Sequence, residues 1–291
     1  MGDFFSAVGR YSFLQYALLT GVLASVACGI VGSYVVARRI SYVAGAIAHF
    51  ILGGMGAAHY MQVVHGWSWF QPLYGAVISA LIAAVIIALV SFHARQREDT
   101  VIGALWAIGM AIGVLFIART PGYNQDLMSY LFGNILMVTP GDLWLIGILD
   151  LMVVLTGLLF YNQLQAVCFD EEFARLRGVN VELFYVILLC LTALTVVLLV
   201  TVVGIIMVIA LITLPAAVAG HFTKTLGRMM VAATIWSLLF TTFGIAISYG
   251  PNLPAGATII VLAGVIYILA TILARFIHFR RPRESSDDAG A

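Results

Sequence analysis

Charge is what this sequence has least of. Asp, Glu, Lys and Arg make up 9% of its 291 residues against 63% hydrophobic, the mean hydropathy is +1.07, and Lys224 is the sole lysine. A chain so poor in charge cannot clothe a soluble surface, and its net charge of +1 carries no message about nucleic acid. Cysteine is nearly absent too. Cys28, Cys168 and Cys190 are scattered with no CxxC, which argues against redox or zinc-ribbon chemistry and reads as small buried apolar residues. Also missing is any GxxxxGK[ST] phosphate loop, and the longest hydrophilic stretch, Asn162 to Glu182, is far too short for a nucleotide-binding domain. If ATP drives this protein, a partner must bind it. The N-terminus lacks a charged region followed by a cleavable small-residue site, so Leu14–Val36 reads as a retained span.

What is present is a succession of long apolar runs. A hydrocarbon core about 30 Å thick needs roughly 20 apolar residues per helix. Transmembrane barrels would instead alternate in short segments. The runs predict an all-α polytopic membrane protein with nine spans: Leu14–Val36, Val43–Val64, Leu73–Phe92, Thr100–Ile117, Leu143–Tyr161, Leu183–Val203, Ile205–Ala219, Met229–Tyr249 and Ala255–Ala274. Residues 1–279 form one transmembrane domain in this reading, and the polar stretch 280–291 reads as a disordered tail. The count is soft by one, since Ile205–Ala219 is short and Leu127–Val138 suits a re-entrant or interfacial helix. Arg38 with Arg39, Arg95 with Arg97, Arg175 with Arg177, Lys224 with Arg228, and Arg275 with Arg280, Arg281 and Arg283 hold 12 of the 14 basic residues. The positive-inside rule puts these clusters in the cytosol, with the N-terminus outside and the C-terminus inside. His65–Pro72 then places two Trp at an outer interface.

The segment Phe169–Asn180 (FDEEFARLRGVN) spends scarce charge in one place. Asp170, Glu171 and Glu172 precede Phe173, Ala174 and Leu176, with Arg175 and Arg177 following and Gly178 closing. Acids at the start and cations at the end suit the dipole of a short helix, and Gly178 suits its C-terminal stop. Phe173 and Leu176 form an apolar ridge at i, i+3. By pattern alone this is a solvated connector, a helix lying on the lipid headgroups, or a grip for a soluble partner.

In the second span, Gly45, His49, Gly53 and Ala57 recur every four residues and share one helix face. Small-xxx-small faces allow close helix approach, and an ionisable group on one faces a bundle interior or an aqueous cavity. The alternatives are a packing seam with a hydrogen-bonded His49 and a path-lining imidazole.

Four stretches resemble the integral-membrane permeases of bacterial metal-ion ABC importers, the zinc, manganese and iron uptake systems: Arg38–Gly54 (RRISYVAGAIAHFILGG), Asp126–Leu143 (DLMSYLFGNILMVTPGDL), Phe169–Val179 (FDEEFARLRGV) and Leu191–Ala219 (LTALTVVLLVTVVGIIMVIALITLPAAVA). The likeness runs over nearly the whole chain in the same order. It implies a type II importer bundle in a bacterial inner membrane, a second copy of this subunit, a cytosolic ABC ATPase dimer and an extracytoplasmic metal-binding protein. It implies no stably bound cofactor: the divalent metal is cargo, and ATP belongs to the partner subunit. The loop of about 162–182 takes the place of the family's ATPase-coupling segment, so Asp170, Phe173, Ala174, Arg175, Leu176 and Gly178 become candidate coupling residues. His49 becomes a candidate ligand on the translocation path, with Gly45 and Gly53 as path-facing small residues.

One departure bears on the cargo. Where many permeases of this kind have an acid one turn before the histidine, this chain has Gly45, and Ala48 stands where a small polar residue is common. Imidazole suits zinc and carboxylates suit manganese, so the departure tilts the reading to zinc, with manganese or iron(II) as alternatives. Asp150, mid-span in LWLIGILDLMVVL, is the other candidate path residue, and a protonated or partnered structural acid is its competing reading. His59 lies about 80° off the His49 face. With His65 it belongs nearer the outer mouth. Asp126 and Asp142 flank YLFGN as external contacts or helix caps, and the ten Met read as gap-fillers. A gradient-driven secondary transporter using His49 and Asp150 is the rival class. It would want inverted repeats or paired broken helices, which the sequence does not display. An integral-membrane hydrolase would want clustered His and acids at one interface, and these are missing too.

Overall fold

The computed structural model describes residues 7–93, 98–121, 138, 140–251 and 253–279, and among them the only regular structure is helical. Eleven helices are described: α1 Ser12–Ala37, α2 Ser41–His65, α3 Pro72–His93, α4 Glu98–Arg119, α5 Pro140–Leu159, α6 Tyr161–Phe169, α7 Glu171–Leu176, α8 Val181–Val203, α9 Ile205–Phe222, α10 Leu226–Tyr249 and α11 Ala255–Phe279. Eight of these are long and apolar enough to cross a membrane, and the α5–α6 pair makes a ninth if it counts as one span. Where the sequence suggests one span over Leu143–Tyr161, the chain breaks at Phe160 and α6 leaves at 72° to α5. The run after Gly204 is longer than expected, reaching Phe222. The 127–137 segment, the Arg95 and Arg97 cluster and the 280–291 tail lie outside the described residues.

Helix α1 sits at the centre of the bundle, against α5, α8, α9 and α10, while α2 is clasped by α3 and α4. Contacts this close need residues without side chains. A Cβ on Gly32 of α1 would meet the Ile212 carbonyl oxygen at 2.2 Å, and one on Gly54 of α2 would meet that of Gly75 in α3 at 2.2 Å. Several hydroxyls in the spans are satisfied locally, although Thr20 and Ser237 are buried without a hydrogen-bond partner among the described residues. Ser25, Ser33, Thr192 and Thr195 each donate to the carbonyl four residues back, at 2.6–2.9 Å, so none of these confronts hydrocarbon unpaired. The outermost spans, α4 and α11, keep apolar faces outward, among them Leu115, Val261, Leu269 and Phe276.

Candidate functional site

On the α6–α8 side of the molecule, a short helix is built by local chemistry. Asp170 ends α6 in an extended conformation, and its carboxylate accepts from the Phe173 backbone N–H at 2.9 Å, capping α7. Such a cap is worth about 1 kcal/mol, a sizeable share of what holds six residues helical. After Leu176 the chain turns at Gly178, whose φ of +78° suits glycine, and Asn180 caps α8 by accepting from Leu183 N–H at 3.1 Å. Ala174 is fully buried beneath the helix, so it seats α7 on the bundle and does not reach outward. Phe169, Phe173 and Leu176 face out, Leu176 with 88% of its surface exposed, and the Arg177 guanidinium lies 4.9 Å from the Phe173 ring centre. Arg175 and Gly178 border a shallow depression continued by Asn180 and Glu182. The result is an apolar knob flanked by Arg175 and Arg177 on a short capped helix.

Sequence reasoning missed the residue that fastens this element. Arg38, in the turn after α1, donates to the Val167 carbonyl at 3.2 Å and pairs with the Glu171 carboxylate. Its guanidinium also lies 5.5 Å from the Tyr185 ring centre. In the sequence Arg38 is only half of a basic pair. Its partner is 133 positions away, and no periodicity links them.

Within the membrane, the α2 face is a seam along part of its length. A Cβ on Gly53 would meet the Gly109 carbonyl oxygen at 2.9 Å, and one on Gly109 would meet the Phe50 Cα at 2.4 Å, so α2 and α4 run backbone to backbone there. One turn nearer the start of α2 the seam opens around an aromatic. Trp106 of α4 stacks on His49 with ring centres 4.4 Å apart and planes at 17°. It also covers Gly45, where a Cβ would lie 3.3 Å from the indole and 3.4 Å from Ile209 of α9. Gly45 therefore has less room than its size suggests, and an acid there would have to displace Trp106. His49 is half-buried, and its Nδ1 is buried with no hydrogen-bond partner among the described residues. A buried imidazole nitrogen left open is where a ligand or water would satisfy it.

Asp150 is not brought to this place. It lies on α5, which packs on α1 and α8, while the neighbours of α2 are α3, α4, α8 and α9. There the carboxylate is buried beside the Ala27 backbone, with Oδ1 unpartnered. His59 is half-buried and engaged; His65 is exposed and its ring meets Tyr60 edge-on at 5.9 Å. Asp126 and the Asp142 side chain lie outside the described residues. Nowhere among the described residues do three His, Cys, Asp or Glu side chains converge as a metal-holding group. The three cysteines are free.

These features describe a bundle of membrane-length helices with an apolar knob exposed on a short helix and a half-buried imidazole stacked on Trp106. Residues 10–274 match the model of the ABC 3 transport family. The chain is 38% identical over 273 residues to a Chlamydia trachomatis protein named "Probable metal transport system membrane protein", covering 94% of this chain and 93% of that one. It is 32% identical over 290 residues to the manganese transport system membrane protein MntC of Halalkalibacterium halodurans, covering 97% of each. Its fold matches the structure of PsaBC from Streptococcus pneumoniae in complex with Fab with a TM-score of 0.84 and 26% identity, over 96% of this chain and 99% of that one. The chain belongs to the ABC 3 transport family, as a membrane-embedded permease subunit of a bacterial metal-ion ABC importer, with the ATPase in a separate subunit.

Proposed function

We propose that this permease carries zinc, as half of a homodimer in the bacterial inner membrane with its C-terminus in the cytosol. The ion is received from an extracytoplasmic binding protein, and α7 docks into a cytosolic ATPase dimer. The observation that supports zinc is the donor chemistry on α2: an imidazole with an unpartnered nitrogen and, in place of an acid one turn earlier, Gly45 under Trp106. Neutral imidazole is a borderline ligand that favours zinc over manganese, and a single donor from each of two copies binds weakly enough to release. His49 is then the ligand on the path with Gly45 beside it, while Gly53, expected to face the path, is taken up by the seam with Gly109 of α4. ATP hydrolysis in the partner would switch the dimer between outward- and inward-facing states.

Uptake of zinc and manganese by the reconstituted complex, compared for the wild type, His49→Ala and His49→Gln, tests this. Both variants should insert, and both should lose zinc transport by about tenfold or more, the scale of a disturbed metal site. Gln keeps volume and polarity without a titratable nitrogen, so full zinc uptake by His49→Gln would leave the residue a structural one. Manganese is the second reading, favoured by the named manganese relative. A wild-type complex that carries manganese in preference to zinc decides for it.

A further inference from the structure

We infer that Arg38 is the positioning residue through which the docking helix α7 is tied to α2, the helix that carries His49. One guanidinium meets three separate elements. It donates to the last turn of α6 at the Val167 carbonyl, pairs with Glu171 in the first turn of α7, and lies against Tyr185 near the start of α8. Arg38 is itself held stiffly. Its N–H bonds to the Tyr34 carbonyl at 2.9 Å, Arg39 follows at a left-handed φ of +63°, and the Ile40 N–H returns to the Val35 carbonyl at 3.0 Å. A non-glycine residue in that region is uncommon and fixes the reversal, so α2 begins at Ser41, three residues on, with no slack between. His49 lies eight residues further along, about 12 Å up the same rigid helix.

The geometry accounts for where a push on α7 goes. The Arg38 and Glu171 side chains are only 24% and 32% exposed, so the pair sits partly inside the junction. An ion pair there adds little to folding but carries direction, because displacing Glu171 drags the turn that starts α2. The α1 and α2 helices meet mainly at this turn and share α8 and α9 as neighbours, while α2 alone packs on α3 and α4, so a shift of the turn is passed to α2 through the chain itself.

This inference rests on reading α7 as the docking element. The test uses the complete reconstituted transporter and measures ions moved per ATP hydrolysed, with zinc, or with manganese if the wild type prefers it. Arg38→Gln and Glu171→Gln should each lower that ratio about threefold or more, the scale of coupling between neighbouring charged groups. The ATPase should still co-purify and basal hydrolysis persist. The double variant should be no worse than Arg38→Gln alone, since both remove one link. Arg38→Lys keeps the charge without the forked reach to Val167 and Glu171, and should fall between. An unchanged ratio in both single variants overturns the inference, as do additive losses in the double, or loss of ATPase binding in both singles. If Arg38→Gln fails to accumulate, Glu171→Gln decides by the same ratio. Should the docking reading itself be wrong, Leu176→Asp will keep its ATPase and its transport, an outcome separate from the Arg38 ratio.

Discussion

The short capped helix α7 and the small-residue face of α2 are held by opposite means. Six residues of α7 are kept helical by an Asp170 cap and a Gly178 stop and are tied to the bundle by the ion pair to Arg38, with the large apolar side chains outward. The 25 residues of α2 are held by backbone contact, Gly53 on Gly109 and Gly54 on Gly75, with few polar ties. The first region turns its large apolar side chains outward, so one outward substitution there should leave the fold unharmed and, on the proposed reading, change docking. The second is structure nearly everywhere, so most changes to it should register as stability, and only His49 should separate the two.

The largest expected effect is on the outer side of α7. Leu176→Asp puts a charge on the most exposed apolar residue of the knob and should weaken ATPase association on the order of 30-fold, the scale of a lost hot spot. Quantitative co-purification is the readout, and a variant that retains its ATPase and transports normally sinks the docking role. Next comes the seam. Gly109→Ala drives a methyl against the Phe50 backbone and should cost roughly 2 kcal/mol. A thermal melt of the detergent-solubilised complex measures it, and an unchanged midpoint would mean that α2 and α4 are not so close. Trp106→Ala sharpens the contrast within α2, since it uncovers both Gly45 and His49. Metal uptake should fall more than stability, and the reverse order, read by transport assay beside the same melt, would make Trp106 mere packing. The smallest effect belongs to Gly178→Ala. Nothing lies within 4 Å of the added methyl, so only the left-handed φ opposes it, at about 1 kcal/mol. A shift of the melting midpoint by more than a few degrees would show that Gly178 has a neighbour in the assembled complex.

The difference between the regions also explains what could be read from the sequence. Caps, stops and dipole-matched charges act over three or four residues, so Asp170, Gly178 and the outward ridge of Phe173 and Leu176 were visible as a pattern. Apolar length likewise marked the spans. The bend at Phe160 was not visible, because a run of apolar residues has no signal for a 72° break without proline or glycine at the spot. Nor were the partners of His49 and Arg38. Periodicity placed His49 and Gly53 on one face but could not say that Gly53 abuts Gly109 while His49 meets Trp106. Asp150, unlike His49, sits in no stretch that resembles the family, and a structural acid is its competing reading; helix adjacency separates the two as well, α5 lying on α1 and α8. Long-range contacts of this kind carry no trace in spacing.

The stacked Trp106 also makes the interior of this protein optically legible. Indole emission is quenched by a neighbouring imidazolium and changes when an imidazole nitrogen is taken by a metal, and the two rings here lie 4.4 Å apart. The chain has five tryptophans, and Trp67, Trp69, Trp144 and Trp236 can be exchanged for Phe to leave Trp106 as the lone emitter. Its lifetime would then report, with no attached dye, whether and when an ion comes beside His49 in a turning-over transporter.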